Sequence, residues 1–241
     1  MKMFMGSWSA KRLLLRRFTA TALAAALVAA VLAVPAGAAE RTALDAWLDG
    51  LHSLRTGFTQ TVKDAQGKTK QQSSGELLVL RPGRFRWETH EDAAAGADSG
   101  ELLVADGRSL WWYDRELQQV QVKPVDAALS ATPMMLLSGG ADVRKAFDIA
   151  AAGPGDGMPK DGPAKAGLEW VRVKPKGGAA DFRQALLGFD GGQLQQMVLE
   201  DKAGQVMTLV FDHAQRNAPV SEAEVSFTPP AGADVIGTVP K

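Results

Sequence analysis

The chain's only imidazoles are His52, His90 and His213, and none stands within five residues of another. Zinc sites draw on ligands at such short spacings or on thiolates, and the sequence has no cysteine, so neither a metal nor another cofactor is expected. An acyl nucleophile on a Gly-x-Ser-x-Gly elbow and a glycine-rich phosphate loop are also missing from the sequence. The stretch Gly153-Pro154-Gly155-Asp156-Gly157 loses a backbone donor at its proline and reads as a loop. Glu200 and Asp201 are adjacent, and neighbours on a strand point to opposite faces, so they cannot form the facing carboxylate pair of a glycosidase. No catalytic residue is assigned, and the chain is not expected to be an enzyme.

The unusual residues are apolar and basic. In Arg81-Pro82-Gly83-Arg84-Phe85-Arg86-Trp87-Glu88 the period of two sends Phe85 and Trp87 to one face of a strand and Arg84, Arg86 and Glu88 to the other. A sheet with large rings on one face must bury them in a core or offer them to a ligand. Trp111-Trp112-Tyr113 puts rings on both faces of one strand. Met134 and Met135 follow Pro133 and supply apolar material that repacks without strain.

The elements that position these residues begin with a helix. Leu44, Trp47, Leu48, Leu51 and Leu54 keep a helical period, with Thr42 and Asp45 able to serve the N-terminus, so a helix is expected over 42–55. Extended segments follow at 57–63, 71–80, 84–89, 101–105, 109–114 and 118–123, with Asp106-Gly107 as a hairpin turn. One or two short helices are expected over 126–147 around Gly139-Gly140, then a flexible loop over 150–167. Strands resume at 168–174, 183–189, 194–200, 206–213 and 224–228. Many strands and few helices are best arranged as a strongly curved antiparallel sheet with helices on its concave side. Trp47, Leu51, Met134, Met135 and Leu137 would face Phe85 and Trp87 across that interior.

Residues 1–38 carry Lys2, Lys11, Arg12, Arg16 and Arg17, then an Ala/Leu/Val run, then Ala36-Gly37-Ala38. That order is expected of a signal peptide cleaved after Ala38, leaving 39–241 as a single exported domain. Its removal leaves 22 Lys and Arg against 27 Asp and Glu, which argues against a nucleic-acid surface. Without a cysteine the chain offers no lipid-attachment thiol and is expected to be soluble after processing.

Taken in order, further residues carry a resemblance. They are Phe58-Thr59-Gln60, Gly75 with Leu77, Arg81-Pro82 with Phe85 and Trp87, Val104-Ala105-Asp106-Gly107 with Leu110-Trp111, and Gln119-Val120. Thr132-Pro133, Trp170 with Pro175-Lys176, Asp201 with Gly204-Gln205, Asn217, and Phe227-Thr228-Pro229-Pro230 with Gly232 and Asp234-Val235 complete the series. Over essentially the whole length after the signal peptide, the chain resembles the periplasmic outer-membrane lipoprotein carrier (LolA) family.

That resemblance implies an incomplete β-barrel closed by a helical lid over an apolar cavity. It implies a periplasmic, monomeric chaperone that takes acylated lipoproteins from an inner-membrane lipoprotein-releasing ABC transporter and hands them to an outer-membrane lipoprotein receptor. A binding protein for another lipid or glycolipid is the alternative. Arg81 matches the family arginine that latches the lid through backbone carbonyls. Leu48, Leu51, Leu77, Val79, Phe85, Trp87, Trp112, Met134, Met135 and Leu137 are assigned to the acyl-chain cavity. The rim formed by the sheet edge and the basic residues Arg84 and Arg86 is the expected surface for the transporter. Three features depart from the family pattern: 89–100, where a longer and more mobile rim is expected, a longer 150–167 loop, and Arg86 in place of a neutral residue, which is expected to alter the outer surface.

Overall fold

A computed structural model describes residues 40–91, 100–125, 134–139, 143–153, 167–177, 180 and 182–239. The expected signal peptide, most of the 150–167 loop, the tip of the 89–100 hairpin and residues 126–133 lie outside the described residues. Residues 41–241 form one compact unit. Its strands are β1 (Ser53–Lys63), β2 (Thr69–Leu80), β3 (Arg84–Glu91), β4 (Glu101–Asp106), β5 (Ser109–Asp114), β6 (Gln119–Pro124), β7 (Phe147–Ala152), β8 (Glu169–Pro175), β9 (Phe182–Asp190), β10 (Gln193–Asp201), β11 (Val206–Arg216) and β12 (Asp234–Gly237). They make one curved, open sheet in the order β12-β6-β5-β4-β3-β2-β1-β11-β10-β9-β8-β7. Every pairing is antiparallel except β12 with β6.

Register sorts the side chains. Phe58 stands opposite Gly75 and Phe211, and Trp87 opposite Leu77 and Leu103, so these residues share the concave face. Gly75 is required there: a Cβ would overlap the Glu88 carbonyl oxygen and the Phe58 ring. With that space free, the Phe58 and Trp87 rings lie 4.2 Å apart. Concave side chains from β1 to β3 and β7 to β11 merge with Leu44, Trp47 and Leu51 and with Met134, Leu136 and Leu137 into one buried cluster.

Among the described residues three short helices pack against that face: α1 (Ala43–Leu48), α2 (Met134–Ser138) and α3 (Val143–Ala146). The Thr42–Asp45 capping box starts α1. The expected helix over 42–55 is cut short. Gly50 adopts φ +65°, which turns the chain out of the helix, and Leu54 belongs to β1. Both Leu51 and Leu54 are still buried, because extended chain aims them at the same interior that a helical period would have.

Two further expectations are corrected. Residues 150–152 were assigned to a loop, yet they finish β7, whose Ala-rich chain is held at the sheet edge by pairing with β8. Residues 224–228 form no strand. That segment crosses the convex face instead, with Val225 buried and Phe227 stacked 5.7 Å from Trp111 and 5.8 Å from Tyr113. It then returns as β12. Rings on both faces of β5 are thereby explained: Trp111 joins a convex cluster with Leu102, Val104, Val120 and Val122, and Trp112 faces the other way.

Candidate functional site

The C-terminal end of α1 exposes carbonyls with no helical partner, and three side chains from two distant parts of the chain converge on this end. Arg81, in the turn between β2 and β3, donates from Nη1 to Leu48 O at 3.1 Å and to Leu51 O at 3.3 Å. Arg216, at the end of β11, donates from Nη2 to Trp47 O at 2.7 Å and to Asp49 O at 2.9 Å. Its guanidinium also lies 5.9 Å from the Trp47 ring centroid, a cation–π contact. Asn217 donates to Gly50 O at 3.0 Å and accepts from the His52 amide at 2.8 Å.

Arg81 touches a second element. Gly139, which ends α2, adopts φ +61°, and a Cβ there would overlap the Arg81 guanidinium. Beside it Gly83 N donates to Ser138 O at 2.9 Å, and Arg81 N donates to His52 O at 2.9 Å. One turn of the sheet therefore meets the ends of both α1 and α2. Burial lowers the Arg81 pKa from its ordinary value, as expected of a cation drawn out of water.

On its other side α1 is tied to α3. Arg144 pairs with Asp45 through Nε at 3.2 Å and through Nη2 at 2.5 Å. Burial opposes ionisation of Asp45, but the Thr42 amide and hydroxyl and the Arg144 guanidinium outweigh it and hold the carboxyl below its ordinary value.

Of the residues assigned to the apolar site, Leu51, Leu77, Val79, Phe85, Met134 and Leu137 are buried in the concave cluster, and Leu48 and Trp87 pack against it half-buried. Trp112 stands opposite Leu103 and Gln121, half-buried on the same face. Met135 lies in α2, and its side chain is outside the described residues. The structure thus brings the sheet residues among them, Leu77, Val79, Phe85, Trp87 and Trp112, to one face, and packs the first four into one cluster with side chains of α1 and α2.

Expectation and structure differ at Arg84 and Arg86. Strand β3 lies inside the sheet, between β2 and β4, so neither residue is at an edge. Arg84 pairs with Glu222 of the crossing segment at 2.5 Å, and Arg86 pairs with Glu88 at 2.8 Å. Glu88 also binds Arg115; burial raises its pKa, but the two guanidinium groups more than offset this and hold it low. These arginines fasten the convex face internally. Arg216 and Arg144 were not assigned a role from sequence. Single basic residues far along the chain carry no periodic signal, although Asn217 beside Arg216 was among the residues of the resemblance.

The sequence profile of the family described as "Outer membrane lipoprotein carrier protein LolA" matches residues 49–228. The chain belongs to the LolA family. An outer-membrane lipoprotein carrier protein of Dechloromonas aromatica is 38% identical over 202 residues, covering 84% of this chain and 88% of its own length. That of Chromobacterium violaceum is 36% identical over 214 residues, covering 89% and 95%. The crystal structure of a LolA superfamily protein from Nitrosomonas europaea aligns over 76% of this chain and 97% of that one, at 11% identity and a TM-score of 0.42. Membership rests on the sequence matches. Among the described residues no helix is long and apolar enough to cross a membrane.

Proposed function

We propose that this LolA-family protein is a periplasmic carrier that shields the acyl chains of lipoproteins between the two membranes. It accepts them from an inner-membrane lipoprotein-releasing ABC transporter and yields them to an outer-membrane receptor, working as a monomer after residues 1–38 are removed. The helices α1 and α2 act as a lid over the concave face, and acyl chains take the place of the helices against Leu77, Val79, Phe85, Trp87 and their neighbours.

One observation carries this reading beyond family membership. The Arg81 guanidinium sits where the sheet meets both helices, bonded to Leu48 O and Leu51 O and lying against Gly139. Each exposed acyl CH₂ costs about 0.8 kcal/mol in water, so a soluble carrier must cover its cargo. It must also let go. Charge-assisted hydrogen bonds that form only when the lid is closed, at roughly 1.5–3 kcal/mol each, favour return to the empty state and so favour release.

The test is to incubate the purified protein with spheroplasts of its host and look for newly made outer-membrane lipoproteins in a soluble 1:1 complex. Arg81→Leu should still extract lipoprotein but pass it on poorly. Efficient delivery by that variant would refute the latch. Failure to extract any lipoprotein, with a native lipid bound in the purified protein instead, would replace the carrier by a binding protein for another amphiphile.

A further inference from the structure

Neighbouring strand ends bring a row of cations to one end of the open sheet. The β1–β2 hairpin carries Lys63, Lys68 and Lys70, the β10–β11 turn carries Lys202, β9 opens with Arg183, and β8 closes with Lys174 followed by Lys176. These belong to the consecutive run β2-β1-β11-β10-β9-β8. The two turns touch, since Gly204 lies against Ala65. At about 4.8 Å per strand the row spans roughly 25 Å. All of these cations but Lys63 are exposed.

Four carboxylates among the described residues share this rim: two are turned into their own turns, and two pair with cations of the row. Asp64 accepts the Gln66 and Lys68 amides. Asp201 accepts the Gln205 amide. Glu200 pairs with Arg183 at 3.3 Å and accepts from Gln184, and Asp148 lies 3.5 Å from Lys176. The seven cations still outnumber them, although acidic residues exceed basic ones over 40–241. At the same end of the sheet the β4, β5, β6 and β12 side is acidic, with Glu101, Asp114, Glu116 and Asp234, and its Arg115 is bound to Glu88. Charge is therefore divided across the rim.

We propose that the basic half of the rim is a contact surface for anionic phospholipid headgroups. Five of the six exposed cations are lysines, Lys68, Lys176 and Lys202 between strands and Lys70 and Lys174 at strand ends, and the turn lysines are interleaved with Ala, Gly, Gln and Thr. Among the described residues such a surface lacks the aromatic and apolar anchors that form the centre of a specific protein interface. Flexible ammonium groups on a shallow rim match a fluid layer of phosphate charges, each acting within a Debye length of about 10 Å at moderate salt. The contact orients the sheet's end toward a membrane without inserting into it, and the acidic half sets the side that stays away.

The experiment measures co-sedimentation of the purified protein with vesicles of phosphatidylcholine alone and of equal parts phosphatidylcholine and phosphatidylglycerol. Binding should appear only with the anionic vesicles and fall as salt is raised. The triple variant K68E/K70E/K202E should bind at least about tenfold more weakly, and E116K/D234K should bind as well as the parent or better. Equal binding to both vesicle types, or anionic binding unchanged in the triple variant, overturns the proposal. Capture by an acidic polypeptide with none by vesicles also overturns it and assigns the rim to a protein partner. No step depends on lipoprotein carriage, so the two readings can fail separately.

Discussion

Replacing Arg216 by Met should loosen α1 more than replacing Arg81 does. Arg216 makes two bonds to the helix end at 2.7 and 2.9 Å and lies over the Trp47 ring. Buried charged bonds contribute roughly 1.5–3 kcal/mol each. Arg216 is half-exposed, so about half of that applies, and the ring contact adds roughly 0.5–1 kcal/mol. The expected loss is about 2–4 kcal/mol, a large part of the ~5–15 kcal/mol that holds a typical domain. Arg81 bonds at 3.1 and 3.3 Å, near the long end of the hydrogen-bond range, and its removal should cost only about 1–2 kcal/mol. Met keeps an apolar stem of similar reach, so packing changes least. Urea unfolding followed by tryptophan fluorescence gives the free energies, and hydrogen exchange at the Asp49 and Leu51 amides reports α1 itself. A loss below about 0.5 kcal/mol for Arg216→Met, or a larger loss for Arg81→Met, would refute the division into a firm anchor and a releasable latch.

Gly139→Ala should mimic removal of Arg81, because the new methyl occupies the guanidinium's place and left-handed backbone adds about 1–2 kcal/mol of strain. Thermal unfolding and the spheroplast transfer assay should shift together in this variant; normal transfer would mean that Arg81 has no need of that site. Acid should loosen the α1–α3 tie. The Asp45 pKa is held below its ordinary 3.8, so the tie's stabilisation is complete above that value and is lost as pH falls through the lowered folded-state pKa. Glu88 and Glu224 titrate in the same direction. The quantity to read is therefore the difference between the parent and Asp45→Asn, which should shrink as pH drops below about 4; a constant difference would remove Asp45 from the acid response.

Much of the sheet was legible because antiparallel strands write their pairing into alternation and turn residues. Phe85 and Trp87 alternate with arginines, and Asp106-Gly107 makes its hairpin, with Asp106 accepting the Arg108 and Ser109 amides. What escaped is where tertiary contact outweighs local preference. The apolar period through Leu51 and Leu54 continues past the end of α1, since helix and strand both deliver those side chains to one interior. Strand β7 is largely alanine and owes its conformation to β8. Strand β12 has only four residues and pairs in parallel with a strand more than a hundred positions earlier. At the helix ends, the resemblance pointed to Arg81, which bonds to Leu48 O and Leu51 O. Arg216 and Arg144 act through carbonyl and carboxylate partners 99 to 169 residues away, a separation that no local pattern records.

On the proposed reading the same interior serves as core and as binding surface, and its helical filling is weakly self-supporting. Helices α1, α2 and α3 have six, five and four residues, far below the ~12–15 at which an isolated helix persists in water. With the turn that follows α1, the first two bury Leu44, Trp47, Leu51, Met134, Leu136 and Leu137, while α3 has no buried residue. At roughly 1.5–3 kcal/mol for each side chain, that burial amounts to about 9–18 kcal/mol. An acyl chain of about sixteen carbons, at ~0.8 kcal/mol per CH₂, gains about 13 kcal/mol on leaving water. On the proposed reading these two quantities compete for one apolar face and nearly balance, so a few hydrogen bonds at the helix ends decide the direction of exchange. On the same reading a lid with a much larger apolar stripe would resist opening, and one without Arg81 would hold its cargo.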